Sequence, residues 1–397
     1  MDNTKKMPLR NWLPVVGLAC SAFVFNTSEF VPIGLLSDIG ADFGMSTAST
    51  GMLISVYAWG VMLLSLPLMI LVSRMEMRRL MLMLVALFAM CQVMSYLSGS
   101  YAMLMASRIG VACAHSVFWS IVTPMAARMV PTRHRALALS IVATGSSIAM
   151  VFGMPVGRMI GLAVGWRMTF LSIGVVAAVI FAYLMLTLPK LPSRGKFSVR
   201  KLPMMLRSRA LSGIYVLTIF FATAYYTTYS YIEPFLLRVT GMPDTLVTTT
   251  LMLFGGAGIM GSMAFSRYYN AHRYTFMTLC LTLLTLCLGS ILPTAFSQEA
   301  TIGVLLVLGM AATAFNIAMQ SEIIAIAPAE GTSVAMSIFS GIFNFGIGTG
   351  AFIGGRVCSL SSVEWVGLAG AAIAIAALGY WLARLRHFFR AFYSARG

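Results

Sequence analysis

The chain has 397 residues, 59% hydrophobic and only 10% charged, with 27 Lys and Arg against 11 Asp and Glu for a formal net charge of +16. A water-soluble chain of this size carries roughly a quarter of its residues charged, so most of this surface must face something other than water. The excess of positive charge does not mark a nucleic-acid partner. The basic residues sit in short loops between apolar runs, where they meet anionic lipid headgroups and set orientation during insertion.

Apolar runs long enough to cross a hydrocarbon core of about 30 Å recur from end to end, and mean hydropathy is +0.89. Backbone groups cannot go unpaired in lipid, so each run is expected to be a helix. The first, 13–37, follows Lys5, Lys6 and Arg10 in the manner of a signal peptide. It is too long for such a segment and lacks a cleavage site, so it reads as a retained span. In its NTSEFVP stretch, Asn26 and Glu29 lie three apart on one helical face. Glu29 is either a protonatable or substrate-binding carboxylate, or one tied to the outer interface or a neighbouring helix.

The second run, 47–72, contains YAW with Tyr57, and LVSRMEMRRL leads from it into the third, 80–98. The fourth, 101–126, holds Arg108, His115 and Trp119. Trp119 is one turn beyond His115 and Arg108 is seven residues before it, so a cation, a base and an aromatic fall along a similar face. The unperturbed pKa of a histidine suits proton exchange at cellular pH; the alternative is a neutral ring hydrogen-bonded between helices. The fifth run, 137–160, is glycine-rich (GMPVGRMIG), and GWRMTF at 165–170 leads into the sixth, 168–189. These glycines permit close backbone approach, which serves sliding and static packing equally.

Residues 190–209 form one long basic stretch with seven Lys and Arg and no acid, expected to be a cytoplasmic linker. The seventh run, 210–237, reads FATAYYTTYSYIEPF, in which Tyr225, Tyr229 and Glu233 recur every four residues. Rings with hydroxyl tips suit a sugar, stacking on its C–H face and pairing with its hydroxyls; interfacial anchoring accounts for the outer end of the stripe. The remaining runs are 246–266, 274–293, 301–326, 334–357 and 363–384. They add the amides Asn316, Gln320 and Asn344, which are substrate contacts or interhelical glue, and Glu322 nearer the cytoplasmic end.

Twenty-two of the 27 basic residues fall on one side if the N-terminus is cytoplasmic, which places both termini in the cytoplasm. ALSI at 138–141 matches AMSI at 335–338, and the same offset of 197 sets Gly153 on Gly350 and Gly157 on Gly354. TSEF at 27–30 and YIEPF at 231–235 each put a glutamate late in a helix. The expectation is an all-α membrane protein of twelve transmembrane helices in two pseudo-symmetric six-helix bundles, 1–189 and 210–397, with a substrate site between them. The six cysteines, Cys20, Cys91, Cys113, Cys280, Cys287 and Cys358, show no metal-ligand spacing and read as apolar filler. No P-loop, HExxH or CxxC pattern is present, so neither an enzyme, a metal site nor a cofactor is expected. A membrane-embedded enzyme is the remote alternative.

The six-plus-six layout with a basic central loop resembles the major facilitator superfamily along essentially the whole chain. LVSRMEMRRL is similar to that superfamily's Asp-Arg-x-Gly-Arg-Arg loop, with Ser73 in place of Asp and Glu76 in place of Gly. Arg108 matches the fourth-span arginine that the superfamily links to proton coupling. GMPVG resembles its fifth-span antiporter motif, with Pro155 shifted by one and Arg158 replacing the final glycine, and GWRMTF is similar to the twelve-span drug:proton antiporter branch. Within that branch FNTSEFVPIGLLSDI, YAW, SRIGVACAH and YSYIEPF resemble sugar efflux transporters of the SotB type. The resemblance implies an inner-membrane antiporter, expected to be monomeric, that exports arabinose-like sugars and related glycosides against protons by rocking of the two bundles. Glu29 or His115 would carry the proton and Arg108 would tune the carrier. Asn26, Glu29, Tyr57, His115, Trp119, Tyr225, Tyr229, Glu233, Asn316, Gln320 and Asn344 would form the substrate pool. Multidrug and nucleoside antiporters are the alternative, because they share the TxEF and IEP signals.

Overall fold

A computed structural model describes residues 12–72, 74–131, 134–192, 208–327 and 332–389. Most of the basic stretch 190–209, the cations Lys5, Lys6 and Arg10, and Ser73 lie outside them. Among the described residues there are helices and no strands. Twelve helices among the described residues are long and apolar enough to cross a membrane, and are numbered as spans 1 to 12 in chain order: Leu13–Gly34, Thr47–Ser65, Met77–Tyr96, Tyr101–Arg128, Leu137–Val164, Trp166–Thr187, Arg209–Arg238, Asp244–Tyr269, Ala271–Ser290, Gln298–Ile326, Ala335–Leu360 and Val363–Phe389. Several begin where the sequence places a side-chain cap: Ser100 accepts from the backbone N–H of Met103, Ser208 from that of Leu211 and Ser297 from that of Ala300. Span 5 is not a plain helix. A π turn at Ala149–Gly153 joins Arg135–Ile148 to Met154–Val164, with Pro155 in the opening turn of the second piece.

The chain sorts into two compact units, one of residues 1–34 with 63–197 and the other of 35–62 with 198–397. In the first unit, span 1 packs on spans 5 and 6, and span 3 on spans 4 and 6. Gly165, at a positive φ of 94°, makes the turn between spans 5 and 6 that a side chain would strain. Beyond it Arg167 stacks on the Trp166 ring at 4.3 Å and donates to the carbonyl of Ser98, which gives GWRMTF a structural role. In the second unit, span 7 packs on spans 11 and 12, and the Trp381 indole of span 12 donates to Thr278 of span 9.

Packing repeats what the duplicated sequence suggests. A Cβ on Gly153 would press on Thr27 and one on Gly350 on Thr223; a Cβ on Gly157 would press on Val31 and one on Gly354 on Thr227. Spans 1 and 7 also break alike: span 1 ends at Gly34 rather than running on to 37, and span 7, which reaches Arg238, is interrupted within its length. Leu35 (φ −123°, ψ 17°) opens a short helix Leu36–Asp42, and Tyr231 (φ −119°, ψ 17°) opens a short helix Ile232–Arg238. The two breaks are 196 residues apart, and Phe25 and Phe221 are related by the same offset. Phe25 stacks on Phe118 at 4.1 Å, and Phe221 packs on Phe315 at 4.9 Å. Residues of spans 1 and 4 therefore have assignable counterparts in spans 7 and 10.

Candidate functional site

In the first unit, the face shared by spans 1 and 4 gathers the ionisable residues. Three rings form its floor: Phe25 stacks at 4.1 Å on both Phe88 and Phe118. Against this apolar wall His115 is 2% exposed, and its Nε2 lies 3.7 Å from Oε2 of Glu29. Trp119, one turn further along span 4, donates its indole N–H to the same Nε2 at 2.7 Å. An indole nitrogen can only donate, so in this state Nε2 is an acceptor and carries no proton.

Arg108 is almost fully buried, which is costly for a charge within a membrane unless its donors are met. Its Nη1 donates to the hydroxyl of Ser28 at 3.0 Å and its Nη2 to the carbonyl of Ser28 at 2.9 Å. Gln92 of span 3 donates to the same hydroxyl at 2.5 Å, filling the second acceptor position of that oxygen. Arg108 is thus bound to the residue next to Glu29, and its charge acts on both Glu29 and His115. Ser28 and Gln92 are partners that reading the sequence missed. Gln92 is the sole amide of span 3, a signal in itself, because buried amides in spans find partners on other helices. Asn26 sits part-exposed on span 1, one turn before Glu29. Arg158 is buried too, and donates to the carbonyl of Gly34 at the end of span 1, where a helix gathers partial negative charge.

The second unit carries an aromatic face on span 7. Phe221, Tyr225 and Tyr229 recur at four-residue spacing with nearly parallel rings, Tyr225 on Tyr229 at 5.1 Å, and Tyr229 continues onto Phe254 at 5.1 Å. Tyr226 meets Phe343 edge-on at 6.1 Å. The neighbouring amides hold each other or the backbone: Gln320 donates to Asn316 at 2.5 Å, and Asn344 donates to the carbonyl of Ser340 at 3.0 Å. The amide oxygen of Asn344 is buried without a hydrogen-bond partner. Tyr57 is buried, two residues from Trp59, whose indole donates to Thr349 at 3.3 Å.

Glu233 does not continue the tyrosine stripe. The break at Tyr231 turns it away, and its carboxylate accepts from both the hydroxyl (2.9 Å) and the backbone N–H (3.3 Å) of Ser37. Glu322 is buried at the far end of span 10, where Arg273 pairs with it at 3.0 Å and the Tyr269 hydroxyl donates to it.

Set in register by the breaks at Leu35 and Tyr231, Glu29 has Tyr225 as its counterpart in the other repeat, not Glu233. By the offset of 197 that relates Phe118 to Phe315, His115 and Trp119 correspond to Ala312 and Asn316. One repeat holds a carboxylate, an imidazole and an indole where the other holds a phenol, a methyl group and an amide.

Residues 18–330 match the family described as Major Facilitator Superfamily. Among solved structures, the chain is similar to a bacterial homologue of the human lysosomal transporter Spinster, with a TM-score of 0.80 at 16% identity over 97% of this chain and 99% of that one. It is similar to the nucleoside transporter NupG, with a TM-score of 0.78 at 13% identity over 94% of this chain and 99% of that one. It is also similar to the human organic anion transporter TETRAN, with a TM-score of 0.69 at 14% identity over 95% of this chain and 100% of that one. At these identities the likeness is one of fold.

Proposed function

The chain belongs to the Major Facilitator Superfamily, and on that premise we propose that it exports arabinose-like sugars and related glycosides across the inner membrane by alternating access, in exchange for protons. The observation that carries the proposal is the divergence between repeats. Glu29, His115 and Trp119 share one nitrogen-centred cluster, while their counterparts Tyr225, Ala312 and Asn316 offer rings and neutral hydrogen-bonding groups. Proton chemistry is assigned to the first set and sugar recognition to the second, because parallel rings stack on the C–H face of a sugar and amides pair with its hydroxyls.

The coupling follows from donor counting at one atom. Nε2 of His115 accepts from Trp119 in the state described. A proton arriving on Nε2 turns it into a donor, which faces a second donor in the indole N–H. The indole must then leave, and Oε2 of Glu29, 3.7 Å away, becomes the partner. Proton binding thus exchanges Trp119 for Glu29 and moves an aromatic side chain of the substrate pool. A contact that differs between proton-bound and proton-free states is what coupled exchange requires. Arg108, anchored on Ser28, fixes the charge balance beside this exchange.

A second reading has one observation in its favour. The rings of Phe221, Tyr225, Tyr229 and Phe254 would also stack on a nucleobase or a flat lipophilic drug. The two readings separate in inside-out vesicles under an imposed proton gradient, using labelled arabinose and a lipophilic drug with wild type, Glu29→Gln and His115→Ala. Gradient-driven arabinose uptake that collapses in either variant supports the sugar antiporter. Drug uptake alone, or arabinose flux indifferent to the gradient and to both substitutions, rejects it.

A further inference from the structure

We propose a binding site for an anionic glycerophospholipid on the outer face of spans 3 and 6, apart from the transport residues. A cavity of about 410 Å³ opens there, with Arg78, Arg79 and Lys190 at its rim and Met83, Ala86 and Phe181 along its floor. Span 3 begins at Met77 and span 6 ends at Thr187, so the cations stand at the ends of the spans and the apolar residues lie within them. A phospholipid has the same order along the membrane normal, a charged head followed by acyl chains. A free phosphate has use for the rim alone, and the floor therefore favours the lipid.

The charge at the rim is not cancelled from within. Glu76 also borders the cavity, but its carboxylate is taken up by the backbone N–H groups of Arg78, Arg79 and Leu191 at 3.1, 3.0 and 2.7 Å. Three cations against one engaged anion leave two positive charges. Arg78 is held in place by a bond from Nη2 to the carbonyl of Met185 at 2.7 Å. A guanidinium fixed at the rim suits a phosphate oxygen. Arg79 and Lys190 are exposed at the mouth, and Met83 is 49% exposed on the floor. With both termini in the cytoplasm, this rim lies in the cytoplasmic leaflet; the site itself does not depend on that assignment.

The test uses the full-length protein purified in detergent, incubated with cardiolipin or phosphatidylcholine, with retained lipid counted by native mass spectrometry. Wild type should retain cardiolipin over phosphatidylcholine. The double variant Arg79→Gln, Lys190→Gln should lose roughly 10- to 30-fold of that preference, as expected for two cations removed near a charged headgroup. The charge-conserving pair Arg79→Lys, Lys190→Arg should keep it, which guards against a general folding effect. Equal retention of both lipids by wild type, or an unchanged preference in the neutral double variant, overturns the proposal. Displacement of cardiolipin by millimolar glycerol phosphate overturns the lipid assignment in favour of a free-phosphate site. None of these readouts measures transport, so the outcome is independent of the sugar and proton assignments.

Discussion

The Ser37 hydroxyl donates to the carboxylate of Glu233 at 2.9 Å, and these two residues are each other's counterparts in the repeat, both two positions beyond a break in a span. A fully buried carboxylate requires donors, and a hydrogen bond to a charged group is worth about 1.5–3 kcal/mol. Ser37→Ala removes the shorter of the two bonds that residue 37 gives Glu233. It should lower stability by about that amount, read as a drop in unfolding temperature in detergent. Glu233→Gln keeps an acceptor for the hydroxyl and should cost less. A Ser37→Ala variant as stable as wild type would show that this bond contributes nothing.

Trp119→Phe tests the exchange at Nε2 of His115. Phenylalanine keeps a ring beside Phe118 but donates nothing, so the neutral imidazole loses the partner it now has at 2.7 Å. Glu29 then has no competitor for that nitrogen, and proton arrival no longer moves the aromatic side chain. Sugar exchange down its own gradient should stay within about threefold of wild type, while accumulation driven by a proton gradient should fall by roughly tenfold, the upper range for one hydrogen bond of about 1.4 kcal/mol. Vesicle uptake with and without the gradient measures both. Equal losses in the two modes would make Trp119 a binding residue without a role in coupling.

Reading the sequence located the twelve spans because in lipid the backbone must satisfy itself, so hydropathy and length nearly suffice. It also placed His115 and Trp119 one turn apart, since periodicity speaks for residues on one helix. It could not join Glu29 to His115 or Arg108 to Ser28, because those contacts cross between helices and leave no period. The pairing of TSEF with YIEPF matched two glutamates by their late position in a helix. The breaks at Leu35 and Tyr231 reset that register, so Glu29 aligns with Tyr225 and Glu233 with Ser37. Each break turns on one bridge-region residue, with Gly34 just before Leu35 and Pro234 shortly after Tyr231, but glycine and proline also occur within unbroken spans and so do not mark the register by themselves.

Close packing of spans 7 and 11 gives a prediction with its own control. A Cβ on Gly350 would stand 2.6 Å from the carbonyl oxygen of Thr223 and 2.9 Å from the nitrogen of Thr227, both backbone atoms that cannot swing aside. Gly350→Ala should therefore cost about 1–3 kcal/mol through overpacking. Gly341, on the same helix, has nothing within 4 Å of the equivalent point. Gly341→Ala should be neutral or stabilise by up to about 1 kcal/mol through helix propensity. Unfolding temperatures of the two variants in one detergent decide the matter, and similar values for both would contradict this packing.

Glu76 caps the start of span 3 and accepts a third bond from Leu191, tying the beginning of span 3 to the end of span 6. Burial acts to raise its pKa, but the backbone N–H groups of Leu191, Arg79 and Arg78, helped by the Arg78 charge, prevail and hold it below the usual 4.5. A carboxylate with a depressed folded pKa contributes stability that is present above the unfolded value and lost as pH falls through the folded one. The contribution of Glu76 to wild-type stability should therefore be present and constant between about pH 5 and 8, and should be lost as pH falls below about 4.5. Glu76→Ala should cost about 0.5–2 kcal/mol at pH 7, the range for a lost N-cap. The gap between wild type and variant should narrow at pH 3.5. A gap that does not change with pH would mean the charge of Glu76 is immaterial.

Tyr225 separates a sugar from a flat apolar substrate. Its ring stacks on Tyr229, and Tyr225→Phe keeps that stack while removing the hydroxyl. If the face of span 7 recognises a sugar, the lost phenol leaves one substrate hydroxyl unpaired, worth about 0.5–1.5 kcal/mol, or roughly 2- to 10-fold in apparent affinity. If it recognises a lipophilic drug or a nucleobase by stacking, the ring is what counts, and Tyr225→Phe should transport as wild type does. Tyr225→Leu removes ring and hydroxyl together and should impair both substrate classes, since stacking on an aromatic face is lost in each. The ratio of arabinose to drug uptake across this pair therefore reports the substrate class directly. A ratio that falls in Tyr225→Phe and is not lowered further in Tyr225→Leu assigns the hydroxyl to a sugar; a ratio unchanged in Tyr225→Phe assigns the face to stacking and favours the nucleoside or drug reading.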